Sequence, residues 1–184
     1  MMEWVQRLDF RVLDWIQQHL KGRALDVAMP LITALGNGGW IFLVLTAGLL
    51  ISKRYRQQGK TLGGALLLCL LVGNLLLKPM VGRIRPYQFV EGFELLVQPL
   101  RDASFPSGHT SSAFAAAWAL FRNDRQLGIP ALVLAAFIGF TRLYLYVHFP
   151  TDVLGGIVFG IVLGILGDLL ADKLAKFCKK KQIV

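Results

Sequence analysis

The sequence predicts an all-α fold: a polytopic membrane helical bundle of about five transmembrane helices, preceded by an N-terminal amphipathic helix. Two observations carry this prediction. Of the 184 residues, 55% are hydrophobic and only 17% are charged, whereas soluble domains average roughly 45–50% apolar and about 25% charged residues. The charged residues lie in clusters between long apolar runs, a pattern typical of a chain that crosses a bilayer repeatedly. The length suits a single domain over residues 1–184.

The first element, over residues 4–20, is predicted to be an amphipathic helix. Its apolar residues recur at helical spacing, as Val5, Leu8, Val12, Ile16 and Leu20. Trp4 and Trp15 suit the headgroup level of a membrane. We therefore expect the helix to lie on the membrane surface, in an interfacial segment that covers residues 1–29. An ordinary packing helix would show the same periodicity and is the open alternative.

Five apolar segments follow and are predicted to form a transmembrane core over residues 30–174. They cover about residues 30–52, 61–78, 107–121, 128–146 and 151–174. Crossing a bilayer takes ~20 helical residues, so the short third segment is expected to begin inside the protein. Gly36, Gly38 and Gly39 interrupt the first segment, which makes a separate short helix over residues 25–35 an alternative. Glycines four residues apart in the fifth segment predict a face for close helix packing; they are Gly156, Gly160 and Gly164.

The basic residues predict how the bundle is oriented. Three groups of them fall on one side of a five-span topology: Lys53, Arg54, Arg56 and Lys60, then Arg122 and Arg125, then Lys173, Lys176, Lys179, Lys180 and Lys181. Cytoplasmic loops carry such an excess of Lys and Arg, so we assign this side, with a basic tail over residues 175–184, to the cytoplasm. Topology thereby explains the net charge of +9, and no nucleic-acid partner is expected. The other side, periplasmic or extracellular, receives residues 78–107 and 146–151; the expected location is the inner or plasma membrane.

Three blocks of ionisable residues fall on that non-cytoplasmic side. They are Lys78 with Arg83 and Arg85-Pro86, then Pro106-Ser107-Gly108-His109, then Thr141-Arg142 with His148 and Asp152. Ionisable groups at the ends of membrane helices are costly unless they serve one another or a ligand. Ser107 is placed to cap a helix whose free N–H groups favour an anion, and Gly108 lets a ligand approach the backbone. A simple capped helix is the alternative for this block taken alone.

The third block predicts a nucleophile with an orienting carboxylate. Pro150 suits the first turn of a helix, which places Asp152 in that turn and His148 just before it. A carboxylate bonded to one imidazole nitrogen sets the tautomer and leaves the other nitrogen free to attack. A buried histidine beside a helix-start aspartate is the alternative.

Three cations from separate segments accompany the two histidines; they are Lys78, Arg85 and Arg142. Arginine forks match phosphate oxygens in bidentate fashion. Each cation taken alone is also explained by snorkelling or by contact with a headgroup. Together with His109 and His148, they favour a phosphate site.

These blocks resemble the type 2 phosphatidic acid phosphatase family, which shares its site with bacterial class A acid phosphatases and vanadium haloperoxidases. Its first block is Lys, six residues and Arg-Pro, matched by Lys78 and Arg85-Pro86. Its second is Pro-Ser-Gly-His, matched by Pro106 to His109. Its third is Ser-Arg, five residues, His, three residues and Asp. Here that block reads Thr141-Arg142, His148 and Asp152, with threonine in place of serine.

The resemblance implies a membrane phosphatase that acts on a lipid phosphate without a metal or other cofactor. It implies a phosphate held by Lys78, Arg85, Ser107, Gly108 and Arg142. It makes His148 the nucleophile that forms a phosphohistidine and Asp152 the group that orients it, while His109 protonates the leaving oxygen and then activates water. Arg83 is expected to lie outside this site, because it is two residues from Arg85 and both cannot point the same way from a regular helix.

The substrate is less well determined than the chemistry. Small size and the lack of extra domains resemble bacterial enzymes that act on undecaprenyl diphosphate; phosphatidylglycerol phosphate, phosphatidic acid and lipid A phosphate are rivals. Phosphotransfer to another acceptor, or a non-catalytic protein that binds headgroups, is also open. A metal-dependent hydrolase that uses His109, His148 and Asp152 is a further alternative, although the nearby cations would repel a divalent ion. The sequence predicts no oligomeric state.

Overall fold

The computed structural model describes residues 3–181, and side chains as far as Lys173. Every regular element in that range is helical, which confirms the predicted all-α fold. The α-helices are α1 (Glu3–Leu20), α2 (Arg23–Ala34), α3 (Trp40–Ile51), α4 (Arg56–Leu68), α5 (Lys78–Val81), α6 (Gly108–Asn123), α7 (Arg125–Tyr144) and α8 (Pro150–Lys181). A π-helical stretch, Cys69–Leu77, joins α4 to α5, and short 3₁₀ helices occupy Asn37–Gly39 and Pro86–Phe89.

Four helical stretches are long and apolar enough to cross a membrane; they are Arg23–Ile51, Arg56–Phe89, Arg125–Tyr144 and Pro150–Lys173. The predicted third span is the exception. It corresponds to α6, which has 16 residues and lies at the centre of the bundle, where Ala113, Ala115 and Ala119 are fully or almost fully buried. Because α6 packs on other helices rather than on lipid, it does not need the full length of a bilayer span.

The predicted glycine face of α8 packs closely on α6. A β-carbon at Gly160 would lie 2.4 Å from the carbonyl oxygen of Ser111, and one at Gly164 would lie 2.8 Å from Cδ1 of Trp118. At the other end of the same face, the backbone N–H of Ser107 donates to the carbonyl oxygen of Asp152, at 3.1 Å. The glycines therefore set the distance between the second and third motif blocks.

The first span is broken where its glycines predict an interruption. Helix α2 ends at Ala34, and α3 begins at Trp40 after Gly38 and Gly39, whose φ angles of 59° and 69° are left-handed. The separate short helix that was the alternative is therefore present as α2. The predicted limit of the interfacial segment at residue 29 falls inside α2, because α2 itself runs from Arg23 to Ala34 and forms the first part of the candidate span Arg23–Ile51.

Helix α1 is amphipathic, as predicted. Its structure is compatible with both interpretations given above, a helix that packs on the protein and a helix that lies on the membrane surface. Leu13 and Ile16 are buried against the turn that precedes α8. Four apolar residues on the other face are exposed by 44–58%: Trp4, Leu8, Val12 and Trp15. The helix packs on the protein with one side and leaves an apolar side open, so its position at a membrane surface stays a prediction.

The two ends of the bundle differ as the charge pattern predicts. Arg122 at the end of α6 lies 3.5 Å from Asp168 of α8, and Thr61 of α4 donates to the same aspartate at 3.0 Å. The basic loops thus gather at one end, and the motif blocks lie at the other. Helix α8 continues to Lys181, so the backbone of the predicted tail is helical over residues 175–181; its side chains lie outside the described part of the chain.

Candidate active site

The three motif blocks meet at one end of the bundle. Lys78 begins α5, Arg142 lies in the last turn of α7, and Asp152 lies in the first turn of α8. The eight residues predicted for the site come from α5, the loop before Pro86, the start of α6, the end of α7 and the turn before α8. Six of them are at most 7% exposed: Lys78, Arg85, Ser107, Arg142, His148 and Asp152. Buried charges require partners, and the partners determine what the site can bind.

His148 has one nitrogen directed at Asp152 and the other at a cation. Its Nδ1 lies 3.5 Å from Oδ2 of Asp152, and its Nε2 lies 3.1 Å from Nη1 of Arg85. A guanidinium carries donors only, so Nε2 must be the unprotonated nitrogen and Nδ1 must carry the hydrogen. This is the tautomer that leaves a lone pair on Nε2, facing the cations.

Burial lowers the pKa of His148 to about 3. The hydrogen bond with Asp152 raises the pKa, but burial and the charges of Arg85 and Arg142 together outweigh it. The imidazole is therefore neutral at neutral pH. A neutral ring is the form that can act as a nucleophile.

Asp152 is held on both of its oxygens. Its Oδ2 accepts from the backbone N–H of Phe149 at 2.8 Å and from the hydroxyl of Ser104. Its Oδ1 accepts from Nη1 of Arg83 at 2.6 Å. The expectation that Arg83 lies outside the site is wrong. The segment after α5 is extended rather than helical, so Arg83 and Arg85 both reach the cluster from different directions.

Asp102 lies between two of the predicted phosphate-binding cations. It pairs with the ammonium of Lys78, and its Oδ1 is 2.8 Å from Nη2 of Arg85. Burial alone would raise the pKa of Asp102, but the hydrogen bonds and charges of Lys78 and Arg85 overcome that effect and hold the pKa at about 2. Half of this side chain is exposed, so the carboxylate can be displaced without opening the bundle.

Arg142 has no such carboxylate. It is 2% exposed, and its Nη1 donates to the hydroxyl of Thr33 at 2.5 Å. Its buried Nε has no hydrogen-bond partner, and no ion pair among residues 3–173 includes Arg142. A buried cation without a counter-charge is unstable unless an anion joins it.

The start of α6 brings backbone and cation together. A β-carbon at Gly108 would lie 3.3 Å from Oδ1 of Asn74, a tight contact, and 3.7 Å from Nζ of Lys78, an ordinary one, so the backbone at Gly108 lies close to the ammonium. Ser107 occupies the N-cap position, as predicted, but its side chain caps no backbone N–H. Its hydroxyl accepts from Thr110 instead, at 2.9 Å.

The ring of His109 is positioned by residues at the break in the first span. Its Nε2 lies 2.9 Å from Oδ1 of Asn37. A β-carbon at Gly36 would lie 2.7 Å from Cδ2 of the ring, so only glycine fits there. His109 also lines a cavity of about 330 Å³. Its polar end contains Lys78, Asp102 and Gly108, and leucines from α3, α4 and the π-helical stretch line the rest: Leu43, Leu66 and Leu70.

No three His, Cys, Asp or Glu side chains in the described part of the chain are grouped as a metal ion would require. His109 and His148 instead face Asn37 and Arg85.

Several residues that contact this cluster were not predicted as site residues; they include Asp9, Thr33, Asn37, Asp102 and Ser104. Asp9, Thr33 and Asn37 reach the site from distant segments, whereas Asp102 and Ser104 lie just before the second motif block and are not part of its pattern. Of these residues, Asp9 alone stands out in the sequence, because it is an acidic residue within one turn of apolar residues on an amphipathic helix.

Known proteins share this sequence pattern and this fold. A model of the PAP2 superfamily matches residues 58–173. The undecaprenyl-diphosphatase of Sulfolobus acidocaldarius is 31% identical over 118 residues, which are 64% of this chain and 57% of that protein. Undecaprenyl-diphosphatase BcrC of Bacillus subtilis is 29% identical over 149 residues, which are 81% of this chain and 75% of that protein. The crystal structure of a transmembrane PAP2-type phosphatidylglycerolphosphate phosphatase from Bacillus subtilis matches with a TM-score of 0.75 at 28% identity, over 93% of this chain and 88% of that one.

Proposed function

This chain belongs to the PAP2 superfamily, and we propose that it is an integral membrane lipid phosphatase that hydrolyses undecaprenyl diphosphate through a phosphohistidine on His148. The buried cation cluster is the observation that carries the proposal. Arg142 has no counter-charge in the described part of the chain, and Lys78 and Arg85 share one displaceable carboxylate. These cations lie beside an imidazole whose unprotonated Nε2 is 3.1 Å from Nη1 of Arg85. A dianionic phosphoryl group satisfies all three.

The proposed first step transfers a phosphoryl group to the enzyme. The Nε2 lone pair of His148 attacks phosphorus, the N–P bond forms, and the bond from phosphorus to the leaving oxygen breaks. Asp152 keeps the proton on Nδ1 and offsets the positive charge that develops on the ring. Lys78, Arg85 and Arg142 stabilise the charge on the three equatorial oxygens, with the N–H groups at the start of α6 beside them.

His109 is proposed to give its proton to the leaving oxygen. In the second step it takes a proton from water, whose oxygen attacks phosphorus and breaks the N–P bond, releasing phosphate. His109 lines the cavity while His148 lies deeper in the protein. This difference in depth supports the proposal that the two histidines act on opposite sides of one phosphorus atom.

Two observations support undecaprenyl diphosphate over its rivals. The relatives in Sulfolobus and Bacillus are undecaprenyl-diphosphatases. A diphosphate also carries more negative charge than the phosphomonoester of phosphatidic acid, which helps it to displace Asp102 from Lys78 and Arg85. Phosphatidylglycerol phosphate is the main rival, because the solved Bacillus structure is a phosphatase for that lipid.

The proposed location is the inner or plasma membrane, with the site at the periplasmic or extracellular face. The basic loops lie at the opposite end of the bundle from the motif blocks, which supports this orientation.

Phosphate release from a panel of lipids tests the function. Purified protein is incubated in EDTA with undecaprenyl diphosphate, phosphatidylglycerol phosphate, phosphatidic acid and lipid A phosphate. We expect the largest kcat/KM on undecaprenyl diphosphate. A larger kcat/KM on another lipid would make that lipid the proposed substrate. Product formation only in the presence of an alcohol acceptor would indicate phosphotransfer. Headgroup binding without phosphate release would indicate a non-catalytic protein. Activity that is lost in EDTA and restored by zinc would favour the metal-dependent alternative.

A further inference from the structure

Asp9 is a buried carboxylate on a helix whose other acidic residues are exposed. It is 3% exposed, whereas Glu3 and Asp14 of α1 lie open to solvent. Its Oδ1 accepts from the backbone N–H of Thr151 at 3.0 Å, and its Oδ2 accepts from the Thr151 hydroxyl at 2.6 Å. A buried carboxylate is costly without such partners. These contacts attach α1 to the first turn of α8.

Arg83 joins Asp9 to the carboxylate that faces the nucleophile. Its Nη2 donates to Oδ2 of Asp9 at 2.7 Å, and its Nη1 donates to Oδ1 of Asp152 at 2.6 Å. The same Nη1 lies 2.7 Å from the Thr151 hydroxyl, and the guanidinium stacks 4.1 Å from the ring centroid of Phe149. One planar fork therefore spans two carboxylates in a fixed geometry.

We infer that Asp9 and Arg83 are positioning residues for phosphoryl transfer, so that the N-terminal helix is part of the reaction apparatus. This inference rests on the proposed role of His148. Arg83 anchors Oδ1 of Asp152 and thereby keeps Oδ2 directed at Nδ1 of His148, across a separation of 3.5 Å. Without that anchor Oδ1 loses its partner, and the carboxylate is held only through Oδ2, by the backbone N–H of Phe149 and the hydroxyl of Ser104.

Asp9 has a second, electrostatic role. Arg83 and Asp152 alone form a neutral pair, which stabilises a phosphohistidine cation weakly. The negative charge of Asp9 balances Arg83, so that Asp9, Arg83 and Asp152 together carry a net charge of −1 beside the ring. A substitution that keeps the shape of Asp9 but removes its charge therefore slows the chemical step.

The test compares Asp9→Asn, Arg83→Gln and the double variant in the full-length protein, with the panel lipid that the wild type hydrolyses fastest. The kcat per vanadate-binding site is expected to fall about 10- to 100-fold in each single variant, the range found when the outer partners of metal-ligating histidines are replaced. KM is expected to stay within about twofold, because Lys78, Arg85 and Arg142 are not in this network. The double variant is expected to be no slower than Arg83→Gln, because Asp9 acts through Arg83.

Asp14→Asn is the matched control. It makes the same change on the same helix, and its partner is the hydroxyl of Tyr146, at 2.8 Å. It is expected to keep wild-type kcat and KM. If Asp9→Asn does not fold, Arg83→Gln carries the same test alone.

Vanadate binding counts the active sites that are intact. If the folded variants kept the wild-type kcat per vanadate-binding site, the inference would be overturned. A loss of activity that only follows the loss of vanadate-binding sites would also overturn it, since that describes a structural role. Failure of the proposed function appears separately, as undiminished turnover in His148→Ala.

Discussion

At the scale of single residues, the site is a cluster of buried charges and their partners. Oδ2 of Asp152 lies 3.5 Å from Nδ1 of His148, and Asp102 pairs with Lys78 and Arg85 from a half-exposed position. Arg142 remains without a carboxylate in the described part of the chain. We therefore propose that an incoming anion binds beside Arg142 and displaces Asp102 from Lys78 and Arg85. Both steps favour a ligand with several negative charges.

Replacing Asp102 tests this exchange. Asp102→Asn removes the charge that competes with the incoming anion for Lys78 and Arg85. We expect vanadate to bind about tenfold more tightly, because charge-assisted hydrogen bonds worth ~1.5–3 kcal/mol no longer have to be broken. Vanadate inhibition at pH 7 measures the effect. Glu91→Gln, an exposed acid in the same loop, is the control and should not change the inhibition constant. Weaker binding in Asp102→Asn would show that the carboxylate organises the cations rather than competing for them.

The lowered pKa of His148 predicts an acid-dependent loss of stability. The pKa falls from 6.5 in the unfolded chain to about 3 in the fold, so below pH 6.5 the unfolded chain binds a proton that the native chain does not. Stability is lost progressively between these two values. Between pH 7 and pH 4.5, His148→Asn should lose on the order of 2 kcal/mol less than the wild type. Thermal unfolding at both pH values measures this, with the exposed His19→Asn as the control. Equal acid losses in His148→Asn and the wild type would contradict the buried, neutral imidazole.

At the scale of helices, α6 links the membrane bundle to the chemistry. Ser107, Gly108 and His109 lie at its N-terminal end. The rest of α6 packs on the glycine face of α8. The distance between the second and third motif blocks therefore depends on how closely these two helices approach.

Gly160→Ala is predicted to separate α6 from α8. The new methyl group would lie 2.4 Å from the carbonyl oxygen of Ser111, a backbone atom that cannot rotate away. Overpacking of this kind costs about 1–3 kcal/mol. Gly48→Ala in α3 is the matched control, since nothing lies within 4 Å of its new methyl group. Thermal unfolding in detergent should show a lower midpoint for Gly160→Ala alone. Equal midpoints would mean that the two helices adjust without cost.

The sequence was most informative about elements whose residues are close in the chain. Apolar runs located α4, α7 and α8, and the four-residue glycine spacing of α8 predicted its packing face correctly. It was least informative where partners are distant. Nothing in residues 3–20 relates Asp9 to Asp152, and the role of Asp102 depends on the fold of the loop before α6. Arg83 was misplaced because helical geometry was assumed for a segment that is extended.

At the scale of the whole molecule, the basic residues and the motif blocks lie at opposite ends of the helical bundle. Arg122, Asp168 and the start of α4 lie at one end, and all eight predicted site residues lie at the other. From the positive-inside rule we propose that the site lies outside the cytoplasm.

Thiol labelling in whole cells tests this orientation. Gln98→Cys near the site and Arg122→Cys at the basic end are introduced into a chain in which Cys69 and Cys178 are serine. A membrane-impermeant maleimide should label Gln98→Cys in intact cells and Arg122→Cys only after the membrane is opened. The reverse pattern would place the site in the cytoplasm and would exclude a lipid presented from outside.

Trapping the covalent intermediate tests the central claim most directly. The wild type is mixed with undecaprenyl diphosphate labelled in its terminal phosphoryl group and is then quenched in alkali, in which phosphohistidine survives. We predict a labelled enzyme whose label maps to His148, forms in EDTA and is absent from His148→Ala, which also has no turnover. Turnover by His148→Ala at the wild-type rate, or a label on another residue, would contradict the account.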